Sequence, residues 1–446
     1  MRGSFVNRAG EPNGPPRLRA PAPARPRAPL APWCLCCCLV LLLCPQAAGQ
    51  RRGGQRAAPP ASGPAPDARR QGASQQEFER LSAQADEARA ASDFDRAIEL
   101  YRKGVALRPN WAEGWWYLAT LLYERDSYGE AARAFARAAA LQPKAGAAWA
   151  MLGLCEYQLG RYDDALGHIY RARKIGLLNN PDLIRVMIYH EGLLLLLKGE
   201  FETAYQRFGT LAYDGMNNEE LIIALGLSAL RIPVTPAQIG PDHRDRALIR
   251  RVGWAEFQSA QRNRADAQSE YERVIADYPK APGLQYAFGR FLLTSRHDDD
   301  GAVAAFRREI ENAPDSVVAR IQLAYLKLKN KEPDAGLPYA EEALRLSPNN
   351  ALAHYILGRL LYDTGKNDLS IKELETARAI SPEVPNIHFA LARAYTRAGR
   401  KADADRARET FTRLNKQAEE FDNKGFFTTG DSASGEGPAA GKPPAP

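Results

Sequence analysis

Outside its first 49 residues this 446-residue chain holds one cysteine, Cys155. The other five, Cys34, Cys36, Cys37, Cys38 and Cys44, crowd a single apolar run near the start. A lone thiol excludes an intramolecular disulfide framework in the body of the protein. With no motif around it, Cys155 reads as a small buried hydrophobe rather than a nucleophile. A membrane-length apolar run is missing too, since Trp33 to Cys44 falls short of the roughly 20 residues a comfortable span needs. Catalytic spacing is equally scarce. There is no His-Glu-x-x-His, no Gly-x-x-x-x-Gly-Lys-Ser/Thr loop, no Gly-x-Ser-x-Gly elbow and no Cys-x-x-Cys pair beyond the N-terminal run. No catalytic residue, no cofactor site and no metal site is therefore assigned, and the chain reads as a non-enzyme. The turn Asp298-Asp299-Asp300-Gly301 lacks the alternating ligands and terminal Glu of a calcium loop, so it reads as a solvated turn.

A sustained excess of one charge is also lacking. The formal charge of +7 belongs to residues 1–75, where eleven Arg, no Lys and two acidic residues give +9. The remainder holds 49 basic and 51 acidic residues and offers no electrostatic footprint for a phosphate backbone, so nucleic acid is not an expected partner. Six Arg (Arg2, Arg8, Arg17, Arg19, Arg25, Arg27) precede the apolar run, and the small residues Ala47-Ala48-Gly49 follow it. That order reads as an export signal over 1–49, with a periplasmic or secreted product in a bacterium. The protein is membrane-tethered through residues 33–44 only if the segment is retained. Leu43 stands where a lipobox before Cys44 needs a small residue, which argues against lipidation.

What the chain has is a period. Leu323-Ala324, Leu357-Gly358 and Leu391-Ala392 recur at 34 residues, as do Ala343 and Ala377, Pro348 and Pro382, and, upstream, Trp115 and Trp149. Such a period marks a helix-turn-helix unit that cannot bury its own apolar face and must stack on copies of itself. Apolar residues within the units recur at three- and four-residue spacing, as in Leu357, Leu360 and Leu361. Pro at the unit's end stops the second helix, and Gly160, Gly199, Gly365 and Gly399 mark the turns within units.

These columns resemble the tetratricopeptide repeat: an aromatic at position 4, Leu-Gly at 7 and 8, Ala at 20 and 27, Pro at 32. The unit from Ala112 carries Trp115, Leu118, Ala119, Ala131, Phe135, Ala138 and Pro143; weaker copies begin near Phe78, Arg185, Leu248 and Pro282. The resemblance implies an all-α, right-handed superhelical solenoid of about ten units in two sub-arrays. The expected order is a signal (1–49), a disordered Pro/Gly/Arg-rich tether (50–75), an N-terminal array (76–231), a Pro-rich break (232–245), a C-terminal array (246–417) and a disordered tail (418–446). The break follows from Pro233, Pro236 and Pro241, which forbid the second helix of a unit whose first helix carries Leu225-Gly226. His354 and His388 occupy position 4 and read as replacements for the packing Trp.

In repeats of this kind the first helices line the concave side and offer positions 2, 5, 9 and 12 to ligands. Here the resemblance assigns a partner-binding groove to Trp116, Thr120, Tyr123, Tyr157, Tyr286, Arg290, Tyr325, Tyr355, Arg359, Tyr362, Phe389 and Arg393. Aromatics interleaved with Arg suit an extended peptide or helix bearing carboxylates. Position 5 holds no Lys, which argues against the terminal-carboxylate clamp of the family's co-chaperones. The expected function is a non-catalytic scaffold binding a protein or peptide partner in this groove. The alternative is an accessory subunit that presents substrate to a separate envelope enzyme or secretion complex. Oligomeric state is not legible in the sequence.

Overall fold

The computed structural model describes residues 66–177 and 180–423. The expected signal (1–49), the expected tether up to residue 65 and the expected tail from residue 424 lie outside the described residues. Among those described there are nineteen α-helices and no strand. The first eight are α1 (Pro66–Ala90), α2 (Phe94–Leu107), α3 (Ala112–Glu124), α4 (Tyr128–Leu141), α5 (Gly146–Gln158), α6 (Tyr162–Ile175), α7 (Pro181–Leu197) and α8 (Phe201–Tyr213). There follow α9 (Glu219–Ala229), α10 (Arg246–Ala260), α11 (Arg264–Asp277), α12 (Leu284–Phe291), α13 (Asp299–Asn312), α14 (Val317–Lys329) and α15 (Pro333–Leu346). The last four are α16 (Ala351–Asp363), α17 (Asn367–Ile380), α18 (Pro385–Arg397) and α19 (Lys401–Asn423).

Each repeat is a pair, and every first helix save α9 is followed by a second one. The small columns set the spacing within a pair. A Cβ added to Gly153 would lie 2.9 Å from the Ala165 carbonyl oxygen, and one on Gly358 would lie 2.6 Å from Leu374 Cγ, so position 8 touches positions 20 and 24. The four turn glycines take φ between +73° and +79°. Equivalent turns elsewhere put Ser92, Asp126, Arg262 and Lys331 at φ +55° to +63°, a conformation costly to side chains with a Cβ.

The arrays extend beyond their expected limits at both ends. Helix α1 starts at Pro66, inside the expected tether, and α19 reaches Asn423. Pro66 occupies the first helical position and Asp67 the first turn, with Ala, Arg and Gln following; these favour a helix even without an apolar stripe.

The proline-rich segment follows α9 directly. It holds no α-helix, only a short 3₁₀ turn at Pro236–Gln238. It does not divide the core, however. One apolar cluster runs from Leu81 to Leu326, and a second runs from Ile321 to Ala407, so the hand-over lies within α14. Residues 221–230 are all buried. With its second helix missing, α9 packs directly on the next first helix, α10. A Cβ on Gly226 would fall 2.0 Å from the Ile249 oxygen, and one on Gly253 would fall 1.8 Å from the Ile222 oxygen. Two glycines thus let two backbones touch where a helix has been lost. The loop is pinned over this junction by buried Pro236 and Ile239, and Arg246 donates to the Ile239 carbonyl and, at 2.9 Å, to Glu219 on α9.

Candidate protein-binding groove

The first helices are registered by a latch that the repeat pattern alone does not reveal. Trp115 Nε1 donates to the Pro109 oxygen at 3.0 Å, and Trp149 Nε1 to the Pro143 oxygen at 3.2 Å. His354 Nε2 meets the Pro348 oxygen at 2.9 Å and His388 Nε2 the Pro382 oxygen at 2.7 Å. In each case a ring nitrogen at position 4 reaches the carbonyl of the proline that closed the preceding unit. Histidine replaces tryptophan because both place a ring N–H there. His354 Nδ1 also meets Glu373 at 2.6 Å.

Toward the N-terminus the expected groove residues are neutral and half-buried. Trp116 packs edge-on to Phe135 at 5.4 Å, and Tyr123 lies 5.2 Å from Tyr128. Thr120 Oγ1 donates to the Tyr117 carbonyl at 2.9 Å. Tyr157 sits edge-on to His190 at 4.9 Å and near Tyr162 at 5.8 Å, and burial raises its pKa. The same region buries Cys155, whose thiol is pushed up to about 12 by burial, the opposite of a tuned nucleophile.

In the middle, two expected groove residues turn inward. Tyr286 is buried and donates to Glu202 on α8 at 3.1 Å. Arg290 pairs with Glu256 on α10 and covers the Tyr205 ring at 3.9 Å. Glu256 is itself 1% exposed and accepts from Tyr205 Oη at 2.7 Å and from Tyr271 Oη at 2.6 Å. Burial disfavours the Arg290 charge, but Glu256 and the surrounding Tyr hydroxyls outweigh it and raise its pKa well above the ordinary value. Burial and Glu202 together push the Tyr286 phenol up to about 12. Arg231, at the end of α9, also pairs with Glu202. Helices α8, α10, α11 and α12 are thereby tied into one polar clasp across the missing helix, and Arg290 is already engaged by a buried carboxylate. One signal was present in the sequence: Glu256 lies 34 residues before Arg290, in the same column.

Toward the C-terminus six of the expected residues stand together. Tyr325, Tyr355, Arg359, Tyr362, Phe389 and Arg393, from α14, α16 and α18, line one cavity of about 330 Å³. Phe411 of α19 closes it, 5.3 Å from Phe389, and Leu328, Lys329, Asp363 and Asn386 are among the other residues of the wall. Arg393 lies over the Tyr362 ring at 4.8 Å, and Arg359 Nη1 reaches Tyr355 Oη at 3.3 Å. Among the described residues neither guanidinium has a carboxylate within ion-pair distance, whereas Lys329 is held by Asp299 at 2.8 Å. Phe411 escaped sequence reasoning because it belongs to a second helix, outside the positions assigned to ligands. Among the described residues no three His, Cys, Asp or Glu cluster to hold a metal, and no helix is long and apolar enough to cross a membrane.

Helix pairs stacked on a 34-residue period, latched carbonyl to ring and lined on their first helices by aromatics and arginines, define a helical-repeat scaffold. The tetratricopeptide repeat model matches residues 82–138, 118–176, 257–317, 321–385 and 357–409, together more than half of the chain. The chain belongs to the tetratricopeptide repeat family, and as such it is a protein-interaction scaffold. Comparison with curated proteins finds no match. Among solved structures, the chain is similar to the crystal structure of MamA, at 17% identity over 37% of this chain and 96% of that one, with a TM-score of 0.34. It is similar to MamA from Desulfovibrio magneticus RS-1 at 21% identity over 40% and 98%, TM-score 0.32. It is also similar to YrrB, described as a TPR protein with an unusual peptide-binding site, at 15% identity over 40% and 90%, TM-score 0.33.

Proposed function

We propose that the protein is an exported, non-catalytic scaffold that takes a partner segment in the cavity between α14, α16 and α18, and that the segment carries an aromatic or large apolar side chain together with carboxylates. The observation that carries this reading is the pair of guanidiniums, Arg359 and Arg393, which stand on an aromatic wall with no carboxylate within ion-pair distance among the described residues. A partner carboxylate supplies the missing half of a charge-assisted, bidentate contact, and the Phe389–Phe411 pair receives an apolar anchor beside it. Arg290 does not take part, because Glu256 already satisfies it.

Affinity capture with the exported protein tests the reading when repeated with Arg359→Glu/Arg393→Glu. Loss of a partner whose contact segment is acidic and aromatic supports it, and unchanged capture overturns it. Recovery of a single enzyme as the sole partner favours the substrate-presenting role instead. Export rests on the arginine-flanked run Trp33 to Cys44 and the small residues behind it. An intact mass beginning near Gly49 supports cleavage, and a mass that retains Met1 to Gly49 contradicts it.

A further inference from the structure

We infer that Tyr362 and Arg397 are positioning residues of the C-terminal cavity: Arg397 fixes the Tyr362 ring, and the ring holds the Arg393 guanidinium ready for a ligand carboxylate. This rests on the reading of the cavity as a site for an acidic, aromatic-bearing segment. Arg393 and Arg397 stand one turn apart on α18, and both reach Tyr362 on α16. Their guanidinium carbons lie 4.8 Å and 4.9 Å from the centre of that one ring. Arg397 also donates from Nη1 to the Tyr362 carbonyl at 2.8 Å, which ties down the residue whose ring it covers. The Tyr362 hydroxyl has no hydrogen-bond partner among the described residues, so α18 holds this residue through its ring and its backbone.

Stacking occupies the flat face of a guanidinium and leaves its N–H donors, which point outward in the plane, open to a carboxylate. An arginine on a bare surface gives up side-chain freedom when it binds, whereas one already laid on a ring has given it up beforehand. Arg393 meets both requirements of such a receptor. It is held by a ring, and no carboxylate stands within ion-pair distance of it among the described residues. Arg290 and Arg400 also lie on rings, those of Tyr205 and Tyr395, but Glu256 and Asp403 already answer them. Arg397 lies outside the positions assigned to ligands, and the acceptor it uses is a backbone atom, so the repeat pattern does not mark it.

The experiment follows the Arg393 Nε–H signal by NMR in the full chain with labelled arginine, the signal being identified by its loss in Arg393→Lys. It is paired with anisotropy of peptides enriched from a random-peptide display library on the same chain. Without ligand, the signal is expected to be that of a restrained side chain in the parent and of a free one in Tyr362→Leu and in Arg397→Gln. Tyr362→Phe, which keeps the ring, is expected to restore the restraint. The parent is expected to bind an enriched acidic peptide at least about tenfold more tightly than the same peptide with its acids changed to amides, as loss of a charge partner implies. Tyr362→Leu and Arg397→Gln are expected to lose that preference while still binding the amide form through the Phe389–Phe411 anchor, which also shows that the site is folded. Should Arg397→Gln lose the amide form too, Arg397→Met, which keeps an apolar stem, takes its place. An Arg393 signal as restrained in the Arg397 variant as in the parent, or an undiminished preference for the acid in either variant, overturns the positioning roles and leaves the groove reading standing. Enriched peptides that bind Arg359→Glu/Arg393→Glu as tightly as the parent overturn the groove reading itself.

Discussion

A histidine standing where its column neighbours carry tryptophan keeps the one feature the position uses, a ring N–H aimed at the preceding proline's carbonyl. The 34-residue period placed His354 and His388 in that column, but the acceptor is a backbone atom and so was invisible to residue-type reasoning. His388→Leu is expected to cost about 1 kcal/mol, the net worth of one such bond, and His388→Trp to recover most of it; urea denaturation midpoints check both. Arg290 illustrates the converse. Its column was legible, and so was Glu256 one period earlier, yet the lost helix brings Tyr205 of α8 over the guanidinium, a neighbour that no column of the repeat predicts. Glu256→Gln leaves a guanidinium buried among tyrosines without its counter-charge, and should lower unfolding stability by about 3–5 kcal/mol. A variant as stable as the parent would mean that the clasp relaxes into water.

At the scale of elements, proline density forecast where a helix fails, and composition could not say what fills the gap. The answer lies in Gly226 and Gly253, whose hydrogens face the opposing backbone in α9 and α10. Gly226→Ala or Gly253→Ala must push those helices apart, with an expected loss of about 1–3 kcal/mol as for other overpacked contacts. Gly129→Ala, where an added Cβ meets nothing within 4 Å, is the matching control and should be neutral or slightly stabilising. Thermal denaturation of the three variants separates close packing from helix propensity. The turns offer a gain instead. Lys331 holds φ +60° where sister units have Gly, so Lys331→Gly should stabilise by up to about 1 kcal/mol. Helix α1 was missed over residues 66–75 because its early turns carry no apolar stripe, which is the signal that periodicity reads.

For the whole molecule, the period alone revealed an all-α stack, since each repeat must bury its face against the next. Which first-helix positions share one cavity was half legible. Six of the assigned residues meet in one cavity, two are consumed by the clasp, and the other four are half-buried packing aromatics and a threonine near the N-terminus. The difference is electrostatic context: an arginine in the column is available only if the preceding unit does not answer it with a carboxylate. The most direct measurement is photo-crosslinking from the cavity, with a benzophenone side chain at Phe389 and, as a control, at Leu369, which is 52% exposed on the second helix α17. The account predicts that Phe389 labels a segment containing an aromatic residue and carboxylates, that the label is lost in Arg359→Glu/Arg393→Glu, and that Leu369 does not label it. Labelling of that segment from Leu369 but not from Phe389, or labelling at Phe389 that survives the double substitution, would contradict the account.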